Sequence, residues 1–247
     1  MGRVGALLVE EILSGRHEGV ELAGGTALPQ DIRDTGFFVT DNPDELFKVA
    51  DAVIDFTTPE ATRKHAWLAA KHKKILIIGT TGLTAADEKE LEDAGKETRI
   101  VYTANMSVGV NVLMALVEQA AARLGNDWDI EIFESHHKHK VDAPSGTALA
   151  LGKAAAHGRE VNLDAAADYA RHGKPGARIP GKIGFSVARG GDVVGDHTVY
   201  FYSEGERLEL THRATNRVLF ARGAIRAALW ASGQKPGLYS MRNVLGL

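Results

Sequence analysis

The chain has 247 residues, of which 44% are hydrophobic and 25% charged, with a net charge of −3 and no cysteine. These values describe a globular protein with enough chain for a large core in one or two domains, and they exclude disulfides, zinc–thiolate sites, thiol catalysis and any bulk attraction to nucleic acid or anionic membrane. No apolar run approaches the roughly 18 to 20 residues of a membrane span and the start of the chain lacks the apolar core of a signal peptide, so a cytoplasmic location is expected.

At the start, Gly2-Arg3-Val4-Gly5 running into residues 6–12 has the form of a glycine-rich dinucleotide turn entering its helix, yet no strand precedes it. The first strand of a doubly wound sheet is central, and its absence leaves two unpaired interior edges. A polypeptide that starts at Met1 is therefore expected to fold its first domain poorly and bind nucleotide weakly, unless residues precede Met1 in the functional protein. A second strand is predicted over residues 20–23. Residues 52–56, 74–78 and 99–102 read as buried parallel strands. Helices over Pro59–His72 and residues 85–96 lie between them at the spacing of βαβ crossovers. Ligands of such sheets bind beyond the carboxyl ends of the strands, where Gly79-Thr80-Thr81-Gly82 and Thr103-Ala104-Asn105-Met106 stand. Taken alone, both segments read equally well as tight turns.

Residues 107–124 predict a helix, with Val112, Leu113, Leu116, Val117, Ala120 and Leu124 on one face, Ser107 as cap and Gly125 as stop. The pattern then changes. Residues 130–134, 182–188, 197–202 and 207–212 predict strands, the last two an antiparallel hairpin around Ser203-Glu204-Gly205-Glu206, with one clear helix at 146–156 among them. Leu208 and Leu210 alternate with Glu209 and Thr211, as in a half-buried sheet. A final amphipathic helix at 218–232, carrying Phe220, Ile225 and Leu229, is expected to return to the first domain. The fold class is α/β: a doubly wound domain at 1–106 completed by 218–247, and an α+β domain at 107–217 with one sheet face available for packing or oligomerisation.

The segment richest in chemistry is residues 134–148, ESHHKHKVDAPSGTA. His136, His137 and His139 are imidazoles, a side chain that ordinarily titrates near neutrality; Lys138 and Lys140 are cations; Pro144-Ser145-Gly146-Thr147 opens a helix whose backbone N–H groups attract anions. A substrate with carboxylates and a proton to gain suits this combination. The bland alternative is a solvated His/Lys loop with Ser145 as a plain N-cap. Three histidines can also hold a metal, against which stand the absence of cysteine and the repulsion of a divalent cation by Lys138 and Lys140.

This segment closely resembles the signature of the 4-hydroxy-tetrahydrodipicolinate reductases, or dihydrodipicolinate reductases, the NAD(P)H-dependent enzymes of the diaminopimelate route to lysine. Further segments resemble the family in the same order: Gly2-Arg3-Val4-Gly5, residues 54–57, Gly79-Thr80-Thr81-Gly82, residues 105–111, residues 189–195 and residues 210–214. The resemblance implies an N-terminal Rossmann-like domain, completed by the C-terminal helix, and a central domain whose sheet assembles a homotetramer. It implies a cyclic dicarboxylate substrate, with His136 as proton donor and acceptor, Lys140 as second proton donor, His137 as a substrate ligand, and Gly146 and Thr147 on a substrate carboxylate. For NADH or NADPH it implies contacts from Gly2 and Arg3 at the pyrophosphate and from Gly79, Thr80, Thr81, Thr103, Ala104, Asn105 and Met106 near the nicotinamide; on the residue chemistry above, no metal is expected. Lys140, flanked by other cations, is expected to give up its proton readily. Two departures concern the cofactor: the absent opening strand, and Thr26-Ala27-Leu28 where the family usually has an acidic residue for the adenosine ribose. The choice between NADH and NADPH stays open, and a non-catalytic dicarboxylate-binding remnant is the alternative these departures motivate. A metal-dependent enzyme using the histidine cluster is the third reading.

Overall fold

The computed structural model describes residues 2–247; Met1, with which the chain's opening turn was expected to begin, lies outside them. In chain order the elements are α1 (Arg3–Leu13), β1 (Gly25–Thr26), β2 (Val39–Thr40), α2 (Pro43–Val49), β3 (Ala52–Asp55), α3 (Pro59–His72), β4 (Ile75–Ile78), α4 (Ala85–Gly95), β5 (Arg99–Tyr102), α5 (Val108–Arg123) and β6 (Asp129–His136). There follow α6 (Gly146–Gly158), α7 (Leu163–Ala166), β7 (Ala167–Asp168), β8 (Ile183–Arg189), β9 (Gly195–Ser203), β10 (Glu206–Ala214), α8 (Val218–Ser232), β11 (Gly237–Tyr239) and α9 (Met241–Leu245). They form two compact units, Met1–Val108 with Arg217–Leu247, and Gly109–Asn216.

The first unit is a parallel sheet in the order β11-β5-β4-β3, clothed by helices on both faces. All four residues of β4 are buried, because alternate side chains serve opposite faces. Ile75 and Ile77 join Leu8, Val101, Ile225 and Met241 under α1, α8 and α9. Leu76 and Ile78 join Phe47, Leu68, Leu91 and Ile100 under α2, α3 and α4. Local signals set the helix ends: the Thr58 hydroxyl caps α3 ahead of Pro59, and Thr84 and Asp87 close a capping box on α4.

Several expectations for this unit are corrected. Residues 20–23 form no strand, since pairing with Val39–Thr40 reaches only Gly25 and Thr26. The resulting two-stranded sheet is not hydrogen-bonded to the four-stranded one. On α8, Ile225 is buried, but Leu229 is exposed and Phe220 only half-buried; Ala221, Gly223, Ala224, Ala227 and Ala231 make the packed face. Small residues let the helix axis approach the sheet closely, so bulk is not the mark of the core side here. The strand β11, three residues beside β5, was not expected at all.

The second unit is a five-stranded mixed sheet, β10-β9-β6-β8-β7, with α5 and α6 in its core. Ile130, Ile132, Ile183, Phe185, Val199 and Phe201 point from the sheet toward Leu113, Val117, Leu151 and Ala155. The burying face of α5 is Leu113-Val117-Ala121, with Leu116 exposed and Val112 half-buried, because a helix apolar on several sides does not announce which one packs. The hairpin runs as expected around Glu204-Gly205, in antiparallel register from Glu206↔Ser203 to Ala214↔Gly195. Only Leu210 of its alternating pair packs against the core; Leu208 is exposed on the edge strand. The one-turn α7 adds a second helix to the single one expected.

Candidate active site

In the second unit, the residues that carry the charged segment sit where β6 ends and α6 begins. Glu134 and His136 are two apart on β6 and so point to the same face of the sheet, the face covered by α6. Glu134 is 1% exposed and accepts four hydrogen bonds. Oε2 takes one from His136 Nδ1 at 2.5 Å and one from Arg189 Nη1 at 2.8 Å. Oε1 takes one from Arg189 Nη2 at 2.9 Å and one from the Ser145 backbone N–H at 3.0 Å. Burial works against the charge on Glu134, but Arg189, His136 and the Ser145 N–H outweigh it and hold its pKa below the usual carboxylate range. Arg189 reaches Glu134 because β8 pairs with β6 in parallel, placing Val187 opposite Glu134 and Arg189 opposite His136.

One carboxylate thus ties the His136 ring to the first turn of α6. Ser145 caps that helix: its Oγ accepts from the Ala148 N–H at 3.1 Å and lies 3.1 Å from His197 Nε2. Burial pushes the His197 pKa down to about 4, with the nearby His136 adding to the effect, so the ring is neutral. The Ser145 hydroxyl, with one proton and a second lone pair, pairs with that neutral ring in either tautomer. The His136 and His197 rings meet edge to face at 5.0 Å. Beyond the strand, His137 donates its backbone N–H to Val193 O, and the rings of His137 and His139 lie 6.3 Å apart. Lys140 Nζ stands 2.8 Å from Asp142 Oδ1. This corrects one expectation: the charge nearest Lys140 is an anion, because the chain turns back after Lys140 and brings Asp142 alongside. Among the described residues no group of three metal-ligating side chains gathers.

In the first unit, the expected cofactor residues lie in the turns that leave the parallel strands. The strands are in register, so the turns after β3, β4 and β5 share one edge of the sheet. Asp55, at the end of β3, organises them. It is 1% exposed and accepts from Thr57 N at 2.9 Å, Thr62 Oγ1 at 2.8 Å, Thr80 Oγ1 at 3.2 Å and His65 Nδ1 at 3.0 Å. Burial raises its pKa and these partners, His65 first, lower it further, leaving it below the usual carboxylate range. Thr80 Oγ1 also accepts from Thr57 N at 2.9 Å, so its side chain is spent on holding two turns together, while Thr81 is exposed. A side chain at Gly79 would run into the Phe56 ring. Asn105 Oδ1 accepts from Ser107 N at 2.9 Å, Thr103 N–H bonds Ile78 O, and the Met106 side chain is in the core. Gly2 is the N-cap of α1 with no side-chain cap, and both Gly2 and Arg3 are exposed, a donor set that suits an anion such as a pyrophosphate.

Glu134, Arg189, His197 and Asp55 were given no role of their own from the sequence, and Ser145 only that of the helix cap it proves to be. Two-residue spacing on a strand was the available signal for Glu134. Arg189 and His197 come from β8 and β9, whose register no local pattern specifies.

Comparison with known proteins fits these two halves. The family model described as "Dihydrodipicolinate reductase, N-terminus" matches residues 1–106, and "Dihydrodipicolinate reductase, C-terminus" matches residues 109–245. A 4-hydroxy-tetrahydrodipicolinate reductase of Burkholderia multivorans is 48% identical over 255 aligned residues, covering 100% of this chain and 96% of its own length. One from Ruegeria pomeroyi is 54% identical over 233 residues, covering 94% of this chain and 84% of its own. Among solved structures, the dipicolinate-bound dihydrodipicolinate reductase of Paenisporosarcina sp. TG-14 superposes with a TM-score of 0.78 at 23% identity, covering 98% of this chain and 95% of that one. That likeness carries the fold.

Proposed function

The chain belongs to the dihydrodipicolinate reductase family, and from that membership we propose that it reduces 4-hydroxy-tetrahydrodipicolinate to tetrahydrodipicolinate with a nicotinamide cofactor, a step of diaminopimelate and lysine biosynthesis. The observation that carries the reading is the geometry around Glu134: a single buried carboxylate bonds both the His136 ring and the Ser145 N–H that opens α6. Acid–base capacity and an anion-attracting helix end are thereby held a few ångströms apart, as a dicarboxylate that gains a proton requires.

The N-terminal turn of α6, at Gly146 and Thr147, binds one substrate carboxylate, with helix dipole and backbone donors acting together. His137 contacts the substrate, and Lys140 and His136 are the proton donors. The substrate ring loses water, and its reduction then takes up one hydride and one proton. The cofactor supplies the hydride. His136 supplies that proton to the ring, and Lys140, released from Asp142 toward the substrate, is the second donor, protonating the hydroxyl that leaves as water while the ring gives up a proton to form the double bond. Gly2 and Arg3 hold the pyrophosphate, while the turns of Gly79, Thr80 and Thr81 and of Thr103, Ala104, Asn105 and Met106 hold the nicotinamide end through backbone atoms and the exposed Thr81. Thr26, Ala27 and Leu28 bring no carboxylate to bond the ribose hydroxyls or repel a 2′-phosphate. NADH and NADPH therefore both serve, within about tenfold of each other in kcat/KM.

The exposed Phe133 and the stacked Tyr200 and Tyr202 rings, 5.5 Å apart on the sheet face away from α6, support assembly of a homotetramer through that face. No helix of the described residues is long and apolar enough to cross a membrane, which agrees with a cytoplasmic enzyme.

The test is oxidation of NADH and NADPH in the presence of the condensation product of aspartate semialdehyde and pyruvate. The His136→Ala/Lys140→Ala variant is expected to lose at least about a hundredfold in kcat. Full activity in that variant would sink the assignment of both residues.

A further inference from the structure

The proposed reaction leaves unused the ion pair buried behind His136. Resting on the reading that His136 exchanges a proton with substrate, we propose that Glu134, clamped by Arg189, is a positioning residue that keeps one imidazole proton on His136 Nδ1 and so makes Nε2 the reacting atom.

An ionised carboxylate only accepts hydrogen bonds, so the 2.5 Å contact from His136 Nδ1 to Glu134 Oε2 is an N–H donation and Nδ1 carries a proton. Glu134 cannot turn away from this duty. Arg189 grips both oxygens as a fork, at 2.8 and 2.9 Å, and the Ser145 N–H takes the remaining acceptor site at 3.0 Å. Arg189 is itself anchored by its bonds to Ala188 O and Asp142 O. The other nitrogen is kept clear: a side chain at position 195 would put its Cβ 2.8 Å from His136 Nε2, and the residue there is glycine. His197 cannot substitute, because its Nε2 is already bonded to Ser145. In the transfer itself the Nε2–H bond of the imidazolium breaks, the proton goes to the substrate ring, and the electron pair stays on Nε2. The neutral Nδ1–H form remains on Glu134, and a proton from water later restores Nε2–H. The same carboxylate fixes the distance from the imidazole to the start of α6, so one residue sets both proton transfer and the position of the bound carboxylate.

The charged and titratable groups around His136 are Glu134 on β6, Arg189 on β8, His197 on β9 with His212 beside it on β10, and Lys140 with Asp142 in the following loop. Two measurements test the proposal. In histidine-15N-labelled wild-type protein, held at a pH where the imidazole is neutral and with His136 assigned by its loss in His136→Gln, the protonated nitrogen is expected to be Nδ1. A protonated Nε2 there overturns the proposal, and this readout needs neither activity nor a folded variant of Glu134. In Glu134→Gln, kcat is expected to fall about 10- to 100-fold with KM changed less than about threefold. A smaller yield of folded protein with kcat per folded molecule unchanged would mark Glu134 as merely structural and overturn the proposal. Failure of the functional reading shows separately, as full activity in His136→Ala.

Discussion

At the scale of single residues, the most revealing is His197, an imidazole kept neutral by its surroundings. Its pKa is pushed down from 6.5 to about 4, so as pH falls through 6.5 the unfolded chain takes up a proton that the folded chain refuses until near 4. The stability linked to His197 is therefore complete above pH 6.5 and is lost progressively toward pH 4, by on the order of 3 kcal/mol. His197→Gln keeps a hydrogen-bonding partner for Ser145 and removes the titration. Urea midpoints measured across this range should be flatter in the variant than in the wild type; an equally steep loss would mean that His197 is not neutral in the folded protein. Ser145→Ala removes both the α6 cap and the hydroxyl bonded to His197, and is expected to lower stability by about 1 to 2 kcal/mol in the same measurement.

Elements carry the next lesson, and α8 is the clearest case. Its Gly223 lies so close to Met106 O that any side chain would collide with that carbonyl. The helix therefore buttresses the turn after β5 from beneath. Gly223→Ala is expected to cost about 1 to 3 kcal/mol through overpacking, near the upper end because the obstacle is backbone. Displacement of the Thr103–Met106 turn should also raise the KM for nucleotide. Melting curves and nucleotide titrations check the two effects separately.

The extent of α8 was legible in the sequence, as were those of α3 and β5, because apolar periodicity, Thr58-Pro59 and flanking polar residues are local signals. Which side of α8 or α5 packs was not, since Ala and Gly faces carry little hydropathy contrast. β11 was too short to stand out, and the strand expected over residues 20–23 failed because pairing is decided by a neighbour. For the site, residues 134–148 were readable as acid–base and anion chemistry, and the family resemblance added the roles. Arg189 and His197 reach Glu134 and Ser145 only through sheet register, and within the first unit Asp55 gathers its partners only through turn closure, neither of which a linear pattern encodes.

For the whole molecule, the five-stranded sheet offers a face of its own for assembly. Phe133→Asp, in the middle of the face proposed for homotetramer assembly, is expected to lower the sedimentation coefficient; an unchanged coefficient would locate the interface elsewhere. The order of the chain adds a temporal consequence. The second unit is one continuous stretch, Gly109–Asn216, whereas the first needs α8 from Val218–Ser232 and β11 from Gly237–Tyr239 beside β5. On the ribosome, the half bearing His136 has all its strands available while the parallel sheet still waits for its edge. Nascent chains stalled on a C-terminal linker that leaves Asn216 clear of the ribosome should therefore already resist protease across Gly109–Asn216, and β3, β4 and β5 should become resistant only once Tyr239 has emerged.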